Sequence, residues 1–408
     1  MRMRFVYHHR TSGRGGEGVH IGGVVRALRA AGHHVDVVSP PGIDPLRGAV
    51  AVPLDKGAVD ISGIVRLWKW ISCFFPQALF EVAELLYNVY AAIRLVPLLC
   101  RRRETVYYER YAFFLCAGVW LAKWFGKPII LEVNEAAGMP RARPLVWVRL
   151  ARWFERQTFS RADEVLTVSS VLQQEVLRRG GRAGHVHVVA NAIDPARFHG
   201  AGGALVRERL GFADTSVIGF VGWFDDWDRL DRLIDLLKEL HPCHPAARLL
   251  LVGGGPVAQA LAGRIAREGL EHLVVLTGPV ARADVPNYID AMDICILPDS
   301  NAFGSPIVLF EFMAMAKPVI GPDLPPIRDV VVDGETGWIV DRNDPAALFR
   351  ATARILNDAQ LGRRVGEAAR RQVLEHHTWD AVGRLVAQVA MQQLERRAAG
   401  GADAVEAL

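Results

Sequence analysis

"DICILPDS" (Asp293–Ser300), running straight into "NAFGSPIVLFEFMAMAKPVIGPDLP" (Asn301–Pro325), carries the pattern that decides the architecture. An apolar run of strand length leads into a polar loop containing Gly304 and Pro306. An apolar helix follows, and "KPVIG" opens another strand. Strand, loop, helix and strand in that order make a crossover unit, because parallel neighbours need a long return connection. Within the helix, Glu311 is the one acid among Leu, Phe and Met. A buried carboxylate without a partner costs several kcal/mol, so Glu311 faces either solvent or a ligand.

The same alternation extends outward in both directions. "MRFVYHH" reads as strand, "GRGGEG" as a glycine-rich turn, "VHIGGVVRALRAAG" as an amphipathic helix and "HHVDVVS" as the next strand. "TVYYER", "PIILEVN" and "EVLTVS" continue this first series. "SVIGFVGW", "ARLLLVGGG", "LVVLTGPV", "DICILP", "KPVIGP" and "GWIV" form a second. Continuous apolar strands separated by helices predict parallel sheets covered on both faces. Two series predict an α/β protein of two Rossmann-like domains facing each other across a cleft. The first is expected over 1–195 and the second over 196–375. The strandless stretch "AIDPARFHGAGGALVRERLGFADT" lies at the join, and a helix within 376–408 returns to the first domain.

Composition agrees with a folded globular chain. Its 408 residues are long for one core, 51% are hydrophobic, and 23% are charged. A net charge of +4 suits anionic ligands or an acidic membrane surface and is too small to argue for nucleic acid. The five cysteines form no Cys-x-x-Cys or Cys/His cluster, which predicts reduced thiols rather than disulfides or zinc. "MRMRFVYHH" has no apolar leader run, so a cytoplasmic location is expected.

In parallel sheets, ligands bind beyond the carboxyl ends of the strands. "GRGGEG" sits at such an end and matches G-x-G-x-x-G through Gly13, Gly15 and Gly18. One reading is an NAD(P)-binding turn of an oxidoreductase, with Asp36 as the ribose acid. However, Asp36 lies inside its strand rather than at the tip. Another reading is a tight turn that simply needs glycine. "VGGGP" (Val252–Pro256) reads as a structural turn.

Taken in order, these segments resemble the retaining glycosyltransferases of family 4, which have the GT-B fold, over nearly the whole chain. "GGEGVHIGGVVRALRAAGHHVDVVSP" resembles the family's N-terminal glycine loop, helix and strand. "YYERY" and "KPIILEVNEAAG" resemble its acceptor-side segments, and "VVANAIDPARF" its linker. "FVGWFDDWDRLDRLIDLL" and the opening stretch through "GPDLPPIRDVVVDGETGWIV" resemble its donor half. The resemblance implies that Glu311 binds the ribose hydroxyls of a nucleotide-diphosphate sugar, which would satisfy the carboxylate. It places Gly304, Ser305 and Pro306 at the diphosphate, with Gly222 on the same side. Gly15, Gly16 and Glu17 then lie across the cleft, and Glu132, Asn134 and Glu135 face the acceptor. For these last three, a strand cap with solvated acids is the alternative.

The chain departs from the family pattern in two places. Phe303 stands where the first of two glutamates is usual. The expected diphosphate-binding Arg and Lys fall at Trp223 and Asp228, so Arg229 or Arg282 would have to supply the charge. No metal or cofactor is expected, and "FDDWD" reads as a solvated loop. The implied chemistry is transfer of a sugar with retention to a glycan or lipid-linked acceptor. A catalytically silent sugar-nucleotide-binding subunit is the alternative that Trp223 and Asp228 keep open.

The stretch "ISGIVRLWKWISCFFPQALFEVAELLYNVYAAIRLVPLLCRRRE" mixes aromatic and aliphatic residues with Lys and Arg and ends in Arg101–Arg103. Glu81, Glu84 and Pro97 argue against a membrane-spanning helix. Two readings remain, a helix pair in peripheral contact with an anionic membrane and a crossover helix whose apolar face is core.

Overall fold

The computed structural model of the protein describes residues 2–13, 15–48, 77–101, 104–140, 144–200 and 202–406. Of the basic-aromatic stretch, residues 61–76 and Arg102 and Arg103 therefore lie outside the described residues. Twelve strands form two six-stranded sheets in which every neighbouring pair runs parallel. The first contains β1 (Arg4–His8), β2 (His34–Val38), β3 (Thr105–Arg110), β4 (Ile129–Val133), β5 (Glu164–Thr167) and β6 (Val186–Val188). The second contains β7 (Ser216–Trp223), β8 (Ala247–Gly254), β9 (Val274–Leu276), β10 (Ile294–Ile296), β11 (Val319–Pro322) and β12 (Trp338–Val340).

Alternation along the first sheet explains why its strands read as unbroken apolar runs. Val6, Tyr107, Ile129, Leu131 and Val165 join one buried cluster. Their neighbours Phe5, Tyr7, Val106, Tyr108, Ile130 and Leu166 join another on the opposite face. Both faces are covered by helices, as parallel sheets require. The second domain has its own continuous core, which includes Phe198, Val206 and Phe212. The stretch read as a join thus contains a helix (Gly203–Leu210) that packs into the second domain rather than a free linker.

Strand order positions the site. In the first sheet the order is β2-β1-β3-β4-β5-β6, and in the second it is β12-β11-β10-β7-β8-β9. The direction in which successive strands are added reverses between β1 and β3, and again between β7 and β10. A crevice opens beyond the carboxyl ends of the strands at each such switch point.

Seven helices matter below: α1 (Gly15–Ala30), α2 (Gln77–Leu99), α3 (Ala117–Trp124), α4 (Val148–Arg161), α5 (Ile307–Ala314), α6 (Ala359–His376) and α7 (Trp379–Glu406). The last of these packs on the first domain, where Trp379, Val382, Val386, Val389 and Ala390 share a cluster with Ile21, Val24, Val25 and Leu28 of α1. Gly23 permits this approach, since a Cβ there would lie 2.2 Å from the Trp379 ring.

Candidate functional site

The two switch points open on one cavity of about 370 Å³. Gly16 and Arg110 reach it from the first sheet. Gly222, Trp223, Leu297 and Ser300 reach it from the second. The glycine loop makes the close approach possible. Gly13 has φ +65°, and a Cβ on Gly18 would come 2.1 Å from the Gly13 carbonyl oxygen. This turn aims the start of α1 at α5, so that a Cβ on Gly16 would stand 3.5 Å from Ile307 Cδ1.

The Phe-Gly-Ser-Pro loop is fixed by side chains from both domains. Asn301 Oδ1 accepts from the amides of Phe303 and Gly304 at 3.3 and 2.5 Å. Ser169 Oγ donates to the Phe303 carbonyl at 2.5 Å. Asn191 donates through its backbone N–H to Ser305 Oγ at 3.1 Å and through Nδ2 to the Ser305 carbonyl at 2.5 Å. Ser305 and Pro306 line the cavity. The Phe303 ring packs against the core of the first domain, so it bridges the cleft where an acid there would have to be desolvated.

Glu311 has a protein partner that its sequence surroundings do not reveal. Its carboxylate is 1% exposed and receives both terminal nitrogens of Arg282, with Nη1 to Oε2 at 3.1 Å. The Arg282 guanidinium also stands 5.6 Å from the Phe198 ring centre. Burial alone would lower the Arg282 pKa, but Glu311 outweighs it and the net shift is upward. Glu311 faces neither of the two expected surroundings. It lies one turn beyond Ile307 and Val308, which do line the cavity. Arg282 is accordingly committed to Glu311 rather than presented to an anion.

Arg229 is also turned away. It adopts a left-handed conformation (φ 48°) and forms a fork with Asp231 at 3.0 and 2.9 Å, with its side chain half exposed. It lines two neighbouring cavities and not the interdomain one.

"FDDWD" is not the solvated loop expected of it. Asp225 and Asp228 line the cavity with Trp223 and Trp227. Asp228 Oδ2 accepts from the Asp225 amide at 3.0 Å, closing a tight capping turn. Burial, reinforced by the charges of Asp225 and Asp299, pushes the Asp228 carboxyl up to about 7.

The acceptor-side acids also differ from expectation. Glu132 is 2% exposed, neither solvated nor open to the cleft. It accepts from Arg110, from Tyr108 Oη at 2.7 Å and from Asn134 Nδ2 at 2.7 Å. His20 Nε2 lies 2.9 Å from Glu132 Oε2, off the line of a well-directed hydrogen bond. Burial pushes the Glu132 pKa up, but His20 and Arg110 outweigh it and hold the group well below the usual carboxylate range. Of the three expected acceptor-side residues, Asn134 lines the cavity. Gly15 and Glu17 lie at the exposed start of α1.

His20, Arg110, Asn191 and Ser169 were not legible as site residues. His20 carried a signal, since it follows Gly16 by one helical turn and so shares its face. Arg110 carried another, as the last residue of a strand beside a switch point. Among the described residues, no cluster of three or more His, Cys, Asp or Glu could hold a metal ion.

Asp36 does not serve as a ribose acid, because it is tied to Arg4 Nε at 2.6 Å and to His34 Nε2 at 3.2 Å. This removes the second element of the dinucleotide reading.

Comparison with known proteins agrees with this geometry. A family model described as Glycosyltransferase Family 4 matches residues 14–197, and one described as Glycosyl transferases group 1 matches residues 215–358. An alpha-D-kanosaminyltransferase of Streptomyces kanamyceticus is 25% identical over 262 residues, covering 61% of this chain and 66% of that protein. A D-inositol 3-phosphate glycosyltransferase of Streptomyces avermitilis is 30% identical over 259 residues, covering 60% of this chain and 55% of that protein. These matches therefore span less than two thirds of either relative. The crystal structure of HepE from Anabaena in complex with UDP superposes with a TM-score of 0.71 at 17% identity, covering 96% of this chain and all of that one. That likeness places the fold among GT-B structures.

Proposed function

Because the chain belongs to the group 1 glycosyltransferases of family 4, we propose that it moves a sugar from a nucleotide-diphosphate sugar in the interdomain cavity to a glycan or lipid-linked acceptor. The observation that carries this reading is the convergence of both switch points on one cavity, with the glycine loop facing the start of α5. The complex of HepE with UDP supports a nucleoside diphosphate as the leaving group. The diphosphate would lie against the loop at Ser305 and Pro306, which line the cavity, since the Gly304 amide is taken by Asn301 Oδ1. The nucleoside would extend along α5 toward Glu311, whose carboxylate keeps lone pairs beyond the two that Arg282 takes.

Transfer would proceed with retention. The acceptor hydroxyl attacks the anomeric carbon on the face from which the diphosphate leaves, and a phosphate oxygen of the donor takes its proton. The new glycosidic C–O bond forms as the bond to the diphosphate breaks. Phe303 would wall the sugar side of the cleft.

A cytoplasmic location and a peripheral membrane contact belong to the same proposal. Leu79, Leu86, Val89, Ile93 and Val96 form an exposed apolar row on α2 at helical spacing. Ala78–Leu99 is long and apolar enough to cross a membrane by length and composition, with only 17% of its window buried. Trp120 and Trp124 on α3, Trp153 on α4 and Arg94 on α2 are also exposed. Aromatic and basic residues of this kind suit an anionic lipid interface.

Titration with UDP, GDP and ADP, read by the fluorescence of Trp223 and Trp227, tests the reading, followed by turnover of the matching sugar donors. No binding of any nucleoside diphosphate would refute it. Binding without turnover would favour the silent subunit, and an inverted product anomer would refute retention.

A further inference from the structure

A diphosphate entering this cavity meets an unusual distribution of charge. The second domain, which supplies the loop and α5, contributes the carboxyl groups of Asp225 and Asp228 to the lining and no Arg or Lys among the described residues. The two cations that the sequence offers there are committed elsewhere, Arg229 to Asp231 and Arg282 to Glu311. A nucleoside diphosphate would therefore be repelled unless cationic groups stand on the opposite wall. Arg110 fits the need, with His20 beside it in the lining, and both come from the first domain.

We propose that Arg110, backed by His20, supplies from the first domain the positive charge that holds the donor's diphosphate. Arg110 is 8% exposed and sits at the end of β3 with its side chain in the cavity wall. Glu132 engages its Nη1 and fixes its direction. A guanidinium has five N–H donors, so others remain for a second anion. The same carboxylate also stands 2.9 Å from His20 Nε2. The Asn191 amide is oriented by its donation to the Ser305 carbonyl, which turns Oδ1 toward His20 Nδ1 at 2.6 Å. An oxygen thus lies within 2.9 Å of each His20 ring nitrogen. His20 is also tied through Asn191 to Ser305, so this wall of the first domain and the loop of the second domain are held in register. Tight donor binding then needs both walls of the cleft together.

This inference rests on the nucleotide-sugar reading, and the test separates the two. Calorimetry on the full chain compares UDP and GDP with UMP, GMP and the nucleosides. The variants are Arg110→Met, Arg110→Lys, the charge-balanced pair Arg110→Met/Glu132→Gln, and Arg229→Gln. Arg110→Met and the double variant are expected to weaken diphosphate binding at least tenfold and to leave nucleoside binding unchanged. Arg110→Lys should fall between, having the charge without the fork. Arg229→Gln should bind like wild type. The double variant keeps the test valid if the single one fails to fold around an unpaired Glu132. Diphosphate affinity indifferent to both Arg110 variants would overturn the inference. So would equal losses for diphosphate and nucleoside, or a tenfold loss in Arg229→Gln. A wild-type protein that bound no nucleoside diphosphate would overturn the functional reading itself, and this inference with it.

Discussion

Replacing Glu311 with Ala should destabilise the second domain, and the size of the effect follows from its pairing. The Glu311 carboxylate is 1% exposed and the Arg282 side chain 16% exposed, so the guanidinium left behind could not regain full hydration. Breaking a buried pair from one side costs about 3–5 kcal/mol, because the surviving charge stays uncompensated. At about 2–4 °C per kcal/mol for a domain of this size, melting should fall by roughly 6–20 °C. Removing both charges with Arg282→Met/Glu311→Leu should return stability to within about 1 kcal/mol of wild type or above it, since desolvating two ions offsets most of their attraction. Calorimetric melts of the four proteins complete a double-mutant cycle, in which a coupling of several kcal/mol is expected, against about 0.2–1 for an exposed pair. Nucleoside binding measured on the double variant then reports any ligand role of Glu311 free of the stability effect. A Glu311→Ala protein melting within about 2 °C of wild type would refute the pairing argument. A double variant as unstable as the single one would also refute it.

Diphosphate affinity should fall as pH rises through about 7, where Asp228 ionises in the cavity, and Asp228→Asn should flatten that profile in pH-dependent calorimetry. The fold should respond with the same sign. Because the folded carboxyl titrates near 7 against about 4 when unfolded, its stabilising contribution is complete below pH about 4 and lost by pH about 7, and the Asn variant should lack this slope in urea melts. The protein should sediment with anionic vesicles at low salt and release at high salt, where exposed charge is screened beyond about 3 Å at 1 M. Leu86→Glu/Ile93→Glu should abolish sedimentation and leave UDP affinity unchanged, and protein remaining in the supernatant with every vesicle would end the membrane reading. Phe303→Glu should not raise turnover, because it removes a ring packed on the first-domain core and sets a carboxylate beside the diphosphate. A clear gain with any of a panel of nucleotide-sugars would show the loop to be an ordinary two-glutamate site.

The fold was legible because its signals are local. Apolar runs of strand length, glycines at strand ends and helical periodicity lie within short windows, and they suffice for two parallel sheets and the crevices where ligands bind. The identity of the charged partners was not, because ion pairs in a parallel fold join positions remote in sequence. Glu311 meets Arg282 across 29 positions, and His20 meets Asn191 across 171. A lone acid on an apolar helix signals that some partner exists without telling a ligand from a guanidinium, and here a guanidinium is one such partner. The same limit governed the diphosphate. Motif reasoning sought replacement cations beside the missing ones, at Arg229 and Arg282, within the same domain. The strand order widens the choice to both domains. Each sheet ends its central strands at the same cavity, so a charge lost from β7 can be met by one at the end of β3, over a hundred residues earlier in the chain. In a two-domain cleft the ligand reads position in space, and either wall can supply the charge that the other lacks.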